Sequence, residues 1–312
     1  MRNLKFDLNI DSTALLCPNP IEFYSKAYIT EDIADNYRTL PGIKSSTKLA
    51  TTSFTNLLKE SSCDFVAGNQ TLSAITIDVC AVSALGEICR FDLEQSFLSL
   101  SMAKGSNASF EVQPFMNFYW DEMAKEIQSE IEQIRWKGDT TNAAFSGDSA
   151  FLKLCDGYEK QLLADAAVLD VTATAVTTSN VLAAFAAVYA KMATSAPQLI
   201  NRSADLRFYV SANVAAAYRQ AVAAGNTVAY VTKNLDLTYL DIKIVVAEGM
   251  TSNRMVLTLK SNLIYSFDGE GDGKALKAVN LEDSVAEPKL RTRANLKIGF
   301  DLVNPAEIVY FN

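Results

Sequence analysis

The stretch LRTRANLKIGFDLVNPAEIVYFN, residues 290–312, alternates with a period of two over its first half. Leu290, Thr292, Ala294, Leu296, Ile298, Phe300 and Leu302 fall on one face, and Arg291, Arg293, Asn295, Lys297, Gly299 and Asp301 on the other. Successive side chains of a strand point to opposite sides, so the spacing predicts one long strand with a buried and a solvated face. Asn304-Pro305 breaks the run, and Glu307-Ile308-Val309-Tyr310-Phe311 resumes it. An apolar strand left unpaired is an aggregation hazard, so this one is expected to dock and close a sheet begun far upstream.

The rest of the composition sets limits on that sheet. At about 150 residues per domain, 312 residues suggest roughly two domains. Hydrophobic residues make up 49% and charged residues 21%, with 13 Gly and 7 Pro, which describes a globular chain and neither a disordered nor a fibrous one. The net charge of -8 argues against a free-standing nucleic-acid reader with a broad basic face and favours solubility. The most apolar helix candidate, Val181 to Ala190, stops at Lys191, about half the ~20 residues that cross a bilayer, and no membrane contact is expected. Asp7 and Asp11 interrupt the first residues, which lack the apolar core of a secretory signal, so synthesis in a cytoplasm is expected.

The sequence contains no histidine, which removes Ser-His-Asp triads, Cys-His pairs, His-ligated metals and a His general base. Cys17, Cys63, Cys80, Cys89 and Cys155 are an odd set without a C-x-x-C pair, and are expected as free, mostly buried thiols. No cofactor, metal or catalytic residue is expected, and the chain reads as a non-enzyme.

Along the chain, residues 1–41 are polar with scattered aromatics and end at the turn signal Pro41-Gly42. Residues 42 to about 73 are rich in Ser and Thr with alternating apolar positions and a turn at Ala67-Gly68-Asn69, which predicts a long exposed hairpin. Ile75, Ile77 and Val79 predict a strand. Between Pro114 and Trp136, Trp120, Met123, Ala124, Ile127, Ile131 and Ile134 repeat at helical spacing, and Lys137-Gly138-Asp139 ends the run. Such a helix spans roughly 33 Å at about 1.5 Å per residue, enough to cross a whole domain. A compact α/β unit follows. It has a helix over Val181–Met192 capped by Thr177 or Thr178, a strand at Leu206–Val210, a helix capped by Ser211 and ending at Gly225, and strands near 241–247 and 254–259.

Few residue clusters suggest chemistry. Asp268-Gly-Glu270-Gly-Asp272-Gly273 opens like a calcium loop, but Val279 stands where the bidentate Glu belongs, and a solvated turn is expected. Arg291, Arg293 and Lys297 on one side of the terminal strand suit a solvated face, intersubunit salt bridges or a DNA-facing surface. Glu126, Glu130 and Glu132 read as surface residues of a charged helix, and Trp136 as a packing anchor.

Five strings in order, IEQIRWKGD at 131–139, DGYEKQLLAD at 156–165, DLRFYVSANVAAAY at 205–218, EGMTSNRMVLTLKSNLIYSFDG at 248–269 and FDLVNPAEIVYF at 300–311, extend this reading. Together with the order of elements they resemble the major capsid proteins of tailed bacteriophages, the Hong Kong 97-type fold. The resemblance implies an α+β fold with an N-terminal arm at 1–41, an extended β-hairpin loop at 42–80 and a peripheral domain at 81–169 with a spine helix at 115–136. It also implies an inserted α/β axial domain at 170–280 and a return strand of the peripheral domain at 281–312. The function implied is self-assembly into pentamers and hexamers of an icosahedral head around double-stranded DNA, in a virion made in a bacterial cytoplasm. A portal protein and a separate scaffold or decoration proteins are possible partners, since no fused scaffold segment of about 100 residues precedes the arm. Lys44, Lys48 and Lys59 in the loop, with Arg291, Arg293 and Lys297, are the candidate intersubunit contacts. Some family members weld subunits through a Lys-Asn isopeptide bond, but no pattern here marks a donor, acceptor and base. An encapsulin-like cellular shell enclosing cargo and a cytoplasmic carboxylate-dependent enzyme are the alternatives.

Overall fold

The computed structural model describes residues 17, 19–28, 31–60, 68–89, 112–225, 237–268, 276–281, 287 and 289–312. Helices α1 (Pro20–Tyr28) and α2 (Glu31–Asn36) lead into β1 (Arg38–Pro41), β2 (Thr47–Thr55), β3 (Asn69–Ile77) and β4 (Cys80–Cys89). The long α3 (Val112–Lys137) is followed by α4 (Tyr158–Ala164), β5 (Leu169–Val171), α5 (Val181–Ser195), β6 (Leu206–Ser211) and α6 (Ala212–Gly225). Strands β7 (Thr238–Tyr239), β8 (Ile242–Ala247), β9 (Met255–Leu259), β10 (Leu263–Phe267), β11 (Leu276–Asn280), β12 (Lys289–Leu302) and β13 (Val309–Phe311) complete the order.

The expected terminal strand is β12, and its period of two is realised in burial. Leu290, Thr292, Ala294, Leu296, Ile298, Phe300 and Leu302 are buried while Arg291, Arg293 and Asn295 are exposed. β12 is the centre of a five-stranded sheet. On one edge it pairs antiparallel with β4, Leu290 opposite Ile88 and Ile298 opposite Cys80. On the other edge β10 takes its second half and β11 its first, and β1 adds parallel to β10. Its buried face joins a core with Trp120, Ala124, Ile127, Ile131 and Ile134 of α3 and Phe23, Tyr24, Ala27 and Tyr28 of α1. Each large apolar side chain so buried contributes about 1.5–3 kcal/mol.

A six-stranded sheet in the order β5-β13-β9-β6-β8-β7 forms the second layer. β6 and β8 are parallel and joined through α6. Strand alternation makes this sheet a wall between two cores. Leu206, Phe208 and Val210 pack with α5 and α6, whereas Tyr209, between them, joins the core of the first layer with Val245, Val256 and Tyr310. That is why β6 is buried along nearly its whole length instead of alternating.

Several expectations need correction. The segment 1–41 is not wholly an arm, because its second half carries α1, α2 and β1, and Phe23, Tyr24, Tyr28 and Tyr37 are buried. Two short helices give aromatics too few turns to show a period. The long helix runs a turn earlier than 115–136. Asn180, and not Thr177 or Thr178, is the N-cap of α5, its side chain accepting a hydrogen bond from the Thr177 N–H at 2.7 Å. Within 170–280, β10 and β11 lie in the first sheet, and within 281–312, β13 lies in the second. The thiols are not all free, since Cys80 and Cys155 form a disulfide across 75 residues. Spacing in sequence hid a proximity created by the β4–β12 register, which puts Cys80 opposite Ile298, while Cys155 Sγ lies 3.7 Å from the Ile298 carbonyl oxygen. Cys17 and Cys89 are free and half-buried; Cys63 lies outside the described residues.

Two polar features sit at the joints of this architecture. At the end of α3, Arg135 is buried between the rings of Tyr37 and Tyr265, 4.8 and 4.9 Å from their centroids, and pairs with Glu132. Trp136 and Tyr158 pack edge to face beside it, and a Cβ on Gly157 would stand 2.5 Å from the Ile134 carbonyl oxygen, so only glycine lets α4 start there. At the root of the β2–β3 hairpin, Asp301 of β12 faces Asp78. Burial, then the Asp78 charge, pushes the Asp301 carboxyl up to about 7, although the Asp78 N–H partly counters the shift. Its Oδ2 has no hydrogen-bond partner.

Removing one member of a buried ion pair strands the other, at about 3–5 kcal/mol. Arg135→Ala is therefore expected to lose stability of that order in urea unfolding, and Glu132→Gln/Arg135→Met to recover part of it. A loss below about 1 kcal/mol for Arg135→Ala would contradict this account. For Asp301 the unfolded chain releases its proton near the ordinary 3.8 and the folded chain only near 7, so stability falls as pH rises between these values and then levels off. Asp301→Asn is expected to melt above the parent protein at pH 8, with the gap narrowing steadily toward pH 4. A gap independent of pH would refute the assignment.

Candidate assembly surface

The β2–β3 hairpin pairs from Thr47–Ile77 at its root to Thr55–Asn69 near its tip. A hairpin inside a fold buries one face, but here Ile77 at the root is the one buried position among those described. Leu72 is 71% exposed and Leu58, beyond β2, 96%. Phe54 and Leu57 are also exposed. Four large apolar side chains on one projecting element are unlike the scattered exposed leucines of an ordinary surface. Lys44, Lys48 and Lys59 are exposed along the same element, and none has a carboxylate partner among the described residues.

The solvated face of the first sheet is the second part of the surface. Outward positions of β4 (Ala81, Ser83, Leu85, Glu87) lie opposite Lys297, Asn295, Arg293 and Arg291 of β12, with Lys277 and Val279 of β11 beyond. Glu87 accepts from Lys289 at 2.8 Å and Arg291 at 2.6 Å, and these two cations hold its carboxyl below the usual range. Arg291 is thus satisfied within its own chain. Lys297 donates to the Lys44 carbonyl oxygen at 2.8 Å and lies 3.8 Å from Asp268, tying β12 to the start of the hairpin. Arg293 donates to Asn295 Oδ1 at 2.8 Å, an atom that also accepts from Ser83, and has no carboxylate partner among the described residues. Leu85, 74% exposed, stands opposite it.

Of the six candidate contacts, Lys44 and Lys297 meet at the hairpin base, Arg291 and Arg293 share the sheet face, and Lys48 and Lys59 stand apart on the hairpin. Sequence reading fixed on charges and passed over Phe54, Leu57, Leu58, Leu72 and Leu85. The available signal was large apolar residues in a Ser- and Thr-rich stretch that no helix or alternating core strand could absorb. Glu126 is exposed and Glu130 partly so, its carboxyl raised by burial and by Glu126; Glu132, by contrast, is committed to Arg135. Residues 269–275 of the acidic Gly-rich turn lie outside the described residues. Among the described residues no group of carboxylates and thiols has the arrangement of a metal site, and no helix is long and apolar enough to cross a membrane. Large apolar side chains exposed on a projecting element, with Arg293 beside Leu85, suit association.

No family model matches the chain, and no curated protein matches its sequence. Solved structures do match in fold. The procapsid of satellite phage P4 including its size determination protein superposes with a TM-score of 0.59 over 93% of this chain and 96% of that one, at 10% identity. The capsid of Myoviridae phage XM1 gives 0.53 over 89% and 90% at 12% identity. The capsid of the native GTA particle gives 0.52 over 91% and 90% at 13% identity. Across about nine-tenths of its length the chain therefore has the fold of these phage capsid proteins.

Proposed function

We propose that this protein is the shell subunit of a tailed-phage head, assembling as pentamers and hexamers into an icosahedral capsid around double-stranded DNA. The observation that carries the reading is the unpacked hairpin in a chain with the capsid fold. An element with Phe54, Leu57, Leu58 and Leu72 in solvent exposes apolar surface unless a neighbouring subunit covers it. In this reading residues 42–80 are the loop that lies across a neighbour, the first layer with α3 is the peripheral domain, and the second layer surrounds the symmetry axes. Lys44, Lys48, Lys59 and Arg293 are proposed intersubunit contacts, while Arg291 and Lys297 act mainly within the chain. The role is mechanical and not enzymatic. The location is the virion, after synthesis in a bacterial cytoplasm, with portal, scaffold or decoration proteins as further partners.

A second reading, a cellular shell that encloses cargo, draws support from the fold likeness to a virus-like particle from Pyrococcus furiosus, with a TM-score of 0.50 at 9% identity. Electron microscopy of the expressed protein separates both readings from a soluble enzyme. Closed shells or rings of five and six are expected, and a monodisperse monomer at high concentration would overturn the proposal. Exposed positions away from special features tolerate substitution within about 0.5 kcal/mol. Phe54→Asp with Leu72→Asp is therefore expected to leave subunit melting unchanged while shells give way to free subunits. Normal shells from that variant would remove the hairpin from the interface.

A further inference from the structure

We propose that Cys80 and Cys155 form a dithiol oxidation site that is open when the subunit is made and closes afterwards, locking the root of the projecting hairpin onto the end of the long helix. The geometry points to this role. Cys80 is the first residue of β4, just beyond Ile77 at the hairpin root, and Cys155 lies between the 3-10 helix Gly147–Lys153 and α4, against Gly138 at the end of α3. The bond therefore joins the strand leaving the hairpin to the segment anchored by Trp136, Gly157 and Tyr158, and it closes a span of 75 residues. Besides it, the joint is held by the β4–β12 pairing, by Lys297 donating to the Lys44 carbonyl, and by the approach of Asp78 to Gly299 and Asp301, where one carboxyl oxygen has no partner.

The burial of the two sulfurs assigns an order to the chemistry. Cys80 is half-buried and Cys155 is 3% exposed. A disulfide oxidant such as oxidised glutathione is attacked by the Cys80 thiolate, which forms a mixed disulfide and releases one glutathione thiolate. The Cys155 thiolate then attacks Cys80 Sγ and displaces the second. Two thiols lose two protons and two electrons, and the oxidant becomes two reduced glutathiones. A reducing cytoplasm keeps the pair as thiols, so closure belongs to the period after release from the cell. That timing rests on the shell reading above, whereas the bond and its mechanical effect do not.

The test uses the full chain with Cys17→Ser, Cys63→Ser and Cys89→Ser to prevent exchange, first reduced with a phosphine and then treated with oxidised glutathione. Oxidation is expected to remove the mass of two hydrogens, abolish iodoacetamide labelling of Cys80 and Cys155, and raise the melting temperature by roughly 5–10 °C. Protease cleavage within residues 47–77 should slow several-fold. Persistent labelling of both thiols, or melting and cleavage that ignore the oxidant, would overturn the proposal. Cys80→Ala, which leaves the buried Cys155 in place, should behave as the reduced protein under both treatments, and a response to oxidant in that variant would also refute it. Electron microscopy of the same samples reports on assembly separately, so a protein that locks without forming shells would count against the shell reading alone.

Discussion

A strand with a buried face and two occupied edges leaves its neighbours little freedom, and β12 is such a strand. Its backbone is committed to β4 on one side and to β10 and β11 on the other. Its inward side chains decide where α1 and α3 must lie, because they share one apolar core. Its outward side chains create the sheet face on which Arg293 and Leu85 stand opposite each other. A one-residue slip against β4 would turn the apolar set to solvent and separate Cys80 from Ile298, so the hairpin's root and its disulfide depend on the same register.

The net charge of -8 conceals an uneven distribution. Lys277, Lys289, Arg291, Arg293 and Lys297 gather on the outward face of one sheet, answered there mainly by Glu87 and Asp268. The carboxylates of α3 lie on the helix side of the same layer, where Asp121 and Glu122 already have lysine partners. A global charge balance thus says little about any one surface, and association is governed by which local groups remain unpaired.

Much of the first layer could be read from residue patterns. β12, α3 and the exposed hairpin each carry a period or a composition that survives without tertiary information, and burial follows them closely. Less legible were the features made by distant segments meeting. Tyr209 and Phe208 are adjacent and chemically alike, yet they face different cores, because β6 is covered on both sides. Arg135 reads as one more cation on a charged helix until Tyr37 and Tyr265 close over it. The Cys80–Cys155 bond had no signature at all, since nothing in the spacing of two cysteines reports the register of β4 against β12. At the candidate surface the lysines and arginines were visible as charges, but which of them were already satisfied required the sheet.

The placement of β13 has a consequence for how the molecule comes into being. β5 and β9 meet only through residues 309–311, and the first sheet has no centre before residues 289–302. A chain in which residues 289–311 have not yet docked holds two half-built sheets with open edges. Folding dominated by such non-local pairing is slow and leaves edges open to chaperones and to misassociation.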